Sequence, residues 1–290
     1  MHMKKPLFTG VCTAMVTPFL NGHINYPMME VLLQRQVDAG ITAAVICGTT
    51  GEAPTLNDEE KLELFRRCKN YVGNQMCIIA GTGSNSTAHT IELSIAAQET
   101  GVDGLLLVSP YYNKATENGL VAHYASVAHA VNIPMILYNV PSRTGQDMPA
   151  SVYKRLSGIS NIVGVKEASA SIDKILQIRT VCGNDFTIWT GNDDMTVPVV
   201  SLGGQGVISV ASNLIPEEMQ AMTLAALDGD FDTASALQCQ IAGLTKLLSC
   251  EVNPIPIKAA MKFAGYDCGG CRLPLTPLSP DNEQKLKEYI

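Results

Sequence analysis

The sequence predicts an α/β fold, a (β/α)8 TIM barrel with a C-terminal helical extension, and three observations carry that expectation. Eight short, β-branched apolar runs recur along the 290 residues, a helix-like segment follows each, and neither a long linker nor a second composition regime interrupts the series. Hydrophobic residues make up 46% and charged residues 16%, so the chain has enough apolar surface for one large core and is not a disordered polyanion.

The strands are expected at 9–17, 42–47, 76–80, 104–108, 134–138, 161–165, 186–190 and 205–209. Most of these runs are continuously apolar, as parallel strands covered on both faces must be, which excludes a one-sided antiparallel sheet. The intervening segments carry helix signals. Met29, Leu32, Leu33 and Val37 share one face before Gly40; Asn57 and Glu60 form a capping-box start, Leu62, Phe65, Cys68 and Val72 keep helical spacing, and Gly73 supplies the stop. Residues 1–215 are read as the closed barrel and 216–290 as a helical region packed on it.

Charge and cysteine content narrow the function. The formal net charge is −7 and no Lys/Arg run occurs, so neither a nucleic acid nor an anionic membrane surface is an expected partner. No apolar stretch approaches the ~20 residues of a membrane span and the N-terminus lacks a signal-peptide core, so a cytoplasmic location is expected. Seven of the nine cysteines are scattered singly and the count is odd, which suits mostly small buried hydrophobes in a reducing compartment. The lone CxxC, Cys268 to Cys271, has no second pair, and the five histidines form no ligand pattern, so no metal is expected.

In such a barrel, chemistry belongs at the C-terminal strand ends. The loops expected there read GTTGE at 48–52, GTGSN at 81–85, SPYYN at 109–113, YNVPSRTG at 138–145, Lys166-Glu167, TGND at 190–193 and Ser209. Distant segments thus deliver polar groups to one mouth. Lys166 ends an apolar strand, where desolvation favours the free amine that attacks a ketone. A strand-end lysine also snorkels to solvent or pairs with a neighbour such as Glu167; the polar company at this mouth favours the nucleophile. Tyr138 ends the fifth strand with a phenol able to move protons, Thr49 and Thr50 offer hydroxyls and backbone amides to a small carboxylate, and Arg143 is placed to clamp a carboxylate. The glycines of GTGSN match no phosphate-binding motif.

These motifs, with GGQGVISV and NPIPIK after them, resemble those of the pyruvate-dependent class I aldolases, from LFTG at 7–10 to RLPLTPLS at 272–279. The resemblance is to the branch that condenses pyruvate with L-aspartate 4-semialdehyde on the route to diaminopimelate and lysine. It implies an imine on Lys166, a proton relay of Tyr138, Thr49 and Tyr112, with Tyr112 reaching into a neighbouring subunit, and pyruvate carboxylate binding by Thr50. It further implies that Arg143 holds the second substrate, that Gly191 and Ile208 line the pocket, that no cofactor is needed, and that the chain forms a homotetramer built as a dimer of dimers. Sialate and 2-keto-3-deoxy sugar acid lyases of the same family are the nearest alternative, but they generally lack an arginine like Arg143 in an SRTG context. A non-catalytic keto-acid-binding barrel is disfavoured by the presence of Lys166 and Tyr138.

The chain departs from the family pattern at one place. In lysine-inhibited members the inhibitor site carries histidine, histidine and glutamate where this sequence has Asp58, Lys61 and His89, although Ala53, Asn85 and Tyr111 still fit such a site. A glutamate would pair with an amino group of lysine; His89 does not replace it. Weak or absent inhibition by lysine is the expectation.

Overall fold

The computed structural model describes residues 4–290. Eight parallel strands close into a barrel: β1 (Gly10–Ala14), β2 (Ala43–Ile46), β3 (Cys77–Gly81), β4 (Gly104–Val108), β5 (Met135–Asn139), β6 (Ile162–Glu167), β7 (Thr187–Thr190) and β8 (Gly206–Ser209). Each strand pairs with the next in sequence, and β8 closes on β1 with Cys12 opposite Ile208. All eight expected strands are present, with ends moved by a residue or so. The exception is the first, which stops at Ala14 instead of running to 17.

A few residues further on the chain makes a small hairpin, Phe19–Leu20 against His23–Ile24, which is not among the expected strands. Asn21 and Gly22 turn it with φ of 52° and 81°, the left-handed pair that a two-residue hairpin loop requires.

The outer layer is α1 (Tyr26–Asp38), α2 (Asp58–Val72), α3 (Thr87–Glu99), α4 (Glu117–Ala130), α5 (Ala150–Leu156), α6 (Ile172–Cys182), α7 (Thr196–Ser201) and α8 (Pro216–Leu227). The capping box of α2 forms as expected, with the Glu60 amide donating to Asn57 Oδ1 at 2.8 Å and the Asn57 amide to Glu60 Oε2 at 3.0 Å. α8 lies against β1, where a side chain at Gly10 would meet Gln220 and Leu224, and Gln220 donates to the Gly40 carbonyl at 2.9 Å. A division at residue 215 therefore passes between β8 and the helix that completes the ring. Beyond it come α9 (Phe231–Leu247), α10 (Ile255–Phe263) and α11 (Pro280–Tyr289). The stretch 264–279 is not helical; it carries the CGGC segment back to the hairpin, where the Phe19 amide donates to the Cys268 carbonyl at 2.9 Å.

Apolar side chains fall into two layers because alternate strand residues face opposite sides of the sheet. Cys12, Val45, Ile79, Leu106, Ile136, Trp189 and Ile208 fill the barrel interior, and Phe8 stacks on Trp189 at 4.8 Å ahead of β1. Val11, Ala44, Ile78, Leu105, Leu137 and Val165 face the helices. Each fully buried aliphatic side chain contributes about 1.5–3 kcal/mol. The barrel is thus plugged, and only the strand ends are left for chemistry. Cys12, Cys47 and Cys68 are buried as expected, Cys268 is buried as well, Cys239 and Cys250 are exposed, and all nine are free thiols. Burial pushes Cys68 and Cys268 up to about 12 and Cys271 up to about 11, so the CxxC thiols are held in the protonated form.

Candidate active site

Lys166 is the penultimate residue of β6 and only 5% exposed. It stands opposite Tyr138 of β5, and its Nζ lies 4.5 Å from the centroid of the Tyr138 ring. Among the described residues no carboxylate forms an ion pair with it. The neighbour Glu167 points to the other face, as strand alternation demands, where Asn139, Tyr153 and Ser169 hold it. Gly191 is fixed by this lysine: a Cβ there would come within 2.8 Å of Lys166 Cε and 2.7 Å of Ala168 Cβ. Only glycine lets the lysine stem pass.

The amine opens into a cavity of 790 Å³ whose walls come from several βα loops and from α9. Thr49, Thr50, Tyr138, Arg143, Lys166 and Gly191 all line it. Thr50 accepts a hydrogen bond from Asn253 Nδ2 at 3.0 Å, and Arg143 donates to the Asn253 carbonyl at 3.3 Å. Asn253 thereby ties the threonine loop to the arginine loop. Arg143 rides on a single helical turn, Pro141–Thr144, closed by Gly145 at φ 68°. Asp193 is a further lining residue: its Oδ2 accepts from the Ala211 and Val210 amides at 2.9 and 3.2 Å, while Oδ1 is buried without a partner. Burial raises its carboxyl above the usual range, against hydrogen bonds from Ser209 and those two amides.

Two expected site residues lie outside this cavity. Ile208 is fully buried in the barrel interior and is not among the lining residues. Tyr112 is 92% exposed and sits at φ 69°, in the left-handed region that a bulky residue enters only under constraint. The glycines of GTGSN serve packing, since a Cβ at Gly81 would come within 2.1 Å of the Cys47 carbonyl oxygen and one at Gly83 within 2.4 Å of the Val108 nitrogen.

The model of the dihydrodipicolinate synthetase family matches residues 7–290. The chain belongs to that family. A relative from Acetivibrio thermocellus named 4-hydroxy-tetrahydrodipicolinate synthase is 44% identical over 99% of this chain and 98% of its own. The crystal structure of dihydrodipicolinate synthase from Aquifex aeolicus superposes with a TM-score of 0.95 at 41% identity, covering 97% of both chains. The chloride-inhibited dihydrodipicolinate synthase of Acinetobacter baumannii, solved with pyruvate, gives 0.95 at 39% identity, again over 97% of each.

Beside the main cavity, this dihydrodipicolinate synthetase family chain has a second one of 510 Å³ that shares Thr49, Tyr138 and Arg143 with it. Ala53, Lys61, Asn85, His89 and Tyr111 are among its walls. Asp58 draws His89 Nε2 to 2.7 Å and Lys61 Nζ to 3.0 Å. Burial opposes the Asp58 charge, but these hydrogen bonds outweigh it and hold the carboxyl below the usual range. The positions singled out in the sequence are thus brought together, with Asp58 bonded to both His89 and Lys61.

Nothing in the sequence marks Asn253 or the Glu52–Lys258 ion pair, and Asp193 stands there only as the end of TGND. Asn253 and Lys258 stand in NPIPIK and Glu52 in GTTGE, so the motifs held them. Their roles depend on contacts between segments some 200 residues apart, for which one sequence carries no signal.

Proposed function

We propose that this chain has 4-hydroxy-tetrahydrodipicolinate synthase activity, a lyase-type condensation of pyruvate with L-aspartate 4-semialdehyde, and that Lys166 carries it as an imine. The observation that supports this most is an amine with no ion-pair partner among the described residues, 5% exposed, set against a tyrosine ring at the head of a 790 Å³ cavity. No helix among the described residues is long and apolar enough to cross a membrane.

The reaction follows from that placement. The amine adds to the pyruvate ketone, water leaves, and the protonated imine draws electrons so that a methyl proton is lost to give an enamine. The enamine carbon attacks the aldehyde, whose oxygen takes a proton from the relay of Tyr138, Thr49 and Tyr112. The amino group of the second substrate then displaces Lys166 and closes the ring. Thr50, tethered by Asn253, holds the pyruvate carboxylate; Arg143 holds that of the second substrate. Gly191 keeps the lysine path open, and Ile208 supports it from the barrel interior.

Tyr112 completes the relay in a neighbouring subunit, and a homotetramer built as a dimer of dimers is the assembly proposed. An almost wholly exposed tyrosine in a backbone conformation that costs about 1–3 kcal/mol suits a residue stabilised by a partner copy. The described residues up to 215, with α8, are read as the catalytic barrel, and α9 beyond it supplies part of the cavity wall.

Aldehyde choice tests this reading. Purified protein with pyruvate should consume aspartate semialdehyde and leave N-acetylmannosamine untouched; the reverse preference would assign the chain to the sialate lyases.

A further inference from the structure

We propose that Asn139 and Glu167 are a positioning pair that holds Tyr138 and Lys166 in register, an inference that rests on the imine reading of Lys166. Tyr138 and Lys166 are register partners across β5 and β6, and the next residues along, Asn139 and Glu167, are register partners too. Alternation turns this second pair away from the cavity and into the layer between barrel and helices. Both residues are buried there.

The contacts form one connected network. Asn139 Nδ2 donates to both Glu167 oxygens at 3.0 Å and to Asp147 Oδ1 at 2.8 Å, while Asn139 Oδ1 accepts from the Met148 amide at 3.1 Å. Glu167 also accepts from Tyr153 Oη at 3.1 Å and from the Ser169 amide at 2.9 Å. Lys174 closes the outer end, 2.8 Å from Asp147 Oδ2 and donating to the Met148 carbonyl at 3.0 Å. The network thus ties the ends of β5 and β6 to α5, to α6 and to the loop after Arg143.

A carboxylate in this layer is costly, and burial raises its pKa against the hydrogen bonds of Ser169, Asn139 and Tyr153. Apolar residues of similar volume would give strand packing of comparable or greater stability. What they would not give is a directional lock on register, which hydrogen bonds of fixed geometry provide. Small displacements at a reacting centre are expensive, so the lock acts on the amine and phenol one residue away without touching substrate.

The test is the initial rate at which borohydride traps a pyruvyl adduct on Lys166, measured with kcat and KM well below each variant's melting temperature. Asn139→Leu should slow trapping and kcat by about a hundredfold, the cost of misplacing a reacting group, while pyruvate KM moves far less. Tyr153→Phe, which removes one hydrogen bond and keeps the ring, should slow both by roughly fivefold. Glu167→Gln, which keeps an acceptor for Asn139, should lose less than Glu167→Leu. If Asn139→Leu does not fold, Tyr153→Phe and Glu167→Gln decide. Folded variants that trap and turn over at the unmodified rate would overturn the positioning role while leaving the imine intact. An unmodified chain that yields no adduct would remove the imine itself, and with it this inference.

Discussion

The Lys258 ammonium lies 2.6 Å from Glu52 Oε1, and both side chains are almost wholly out of solvent. Glu52 sits in the left-handed region at φ 58° at the end of the GTTGE loop, and its other oxygen accepts from the Arg272 amide at 2.8 Å. Lys258 also donates to the Gly270 carbonyl at 3.1 Å and lies 4.4 Å from the centroid of the Phe19 ring. One ion pair therefore fastens the threonine loop, α10, the hairpin and the CGGC segment together.

Removing one partner leaves a buried charge uncompensated, which costs about 3–5 kcal/mol. Lys258→Met should lower the unfolding free energy by that amount in denaturant titration. The double variant Lys258→Met with Glu52→Gln should recover part of the loss, because it removes both charges. A single variant as stable as the unmodified chain would show that the pair is dispensable.

Among the described residues Arg143 bonds only through its Nη2, to the Asn253 carbonyl, and it reaches the cavity with guanidinium donors left for a carboxylate. Arg143→Ala should raise KM for aspartate semialdehyde by about tenfold to a hundredfold, the value of a charge-assisted pair. Trapping of pyruvate on Lys166 should change much less. Equal losses in both would place Arg143 with pyruvate instead.

At the second cavity, Asp58 engages both His89 and Lys61, so no free carboxylate of this cluster is offered to an incoming ammonium. Lysine at millimolar concentration should leave steady-state activity unchanged. A submillimolar inhibition constant would refute this.

His123 of α4 is buried, with Nδ1 2.9 Å from Thr87 Oγ1 and Nε2 lacking a partner. Burial lowers its pKa from 6.5 to about 4. The folded protein therefore binds this proton less readily than the unfolded chain. Its stability contribution is complete above pH 6.5 and is lost as pH falls toward 4, by an amount approaching about 3 kcal/mol. His123→Leu should flatten the pH dependence of unfolding free energy across that window; an unchanged slope would assign the acid loss to other groups.

Much of the barrel was legible because parallel strands buried on both faces leave continuous apolar runs, and helices leave capping signals such as Asn57 with Glu60. Lys166 stood out for the same reason, being a cation at the end of such a run. The hairpin at Phe19–Ile24 was overlooked although Asn21-Gly22 is its turn signal, because its strands are only two residues each. The partnership of Glu52 with Lys258 and of Asn139 with Glu167 was not legible, since strand and helix periodicity give facing but not the pairing of distant segments. Tyr112 could be picked out by its motif, yet its strained, exposed placement becomes visible only in three dimensions.

Borohydride reduction in the presence of pyruvate, followed by peptide mass mapping, shows whether Lys166 forms the imine. One pyruvyl adduct should form, on the peptide carrying Lys166, and it should disappear in Lys166→Arg. An adduct on another lysine, or none in active protein, would contradict it.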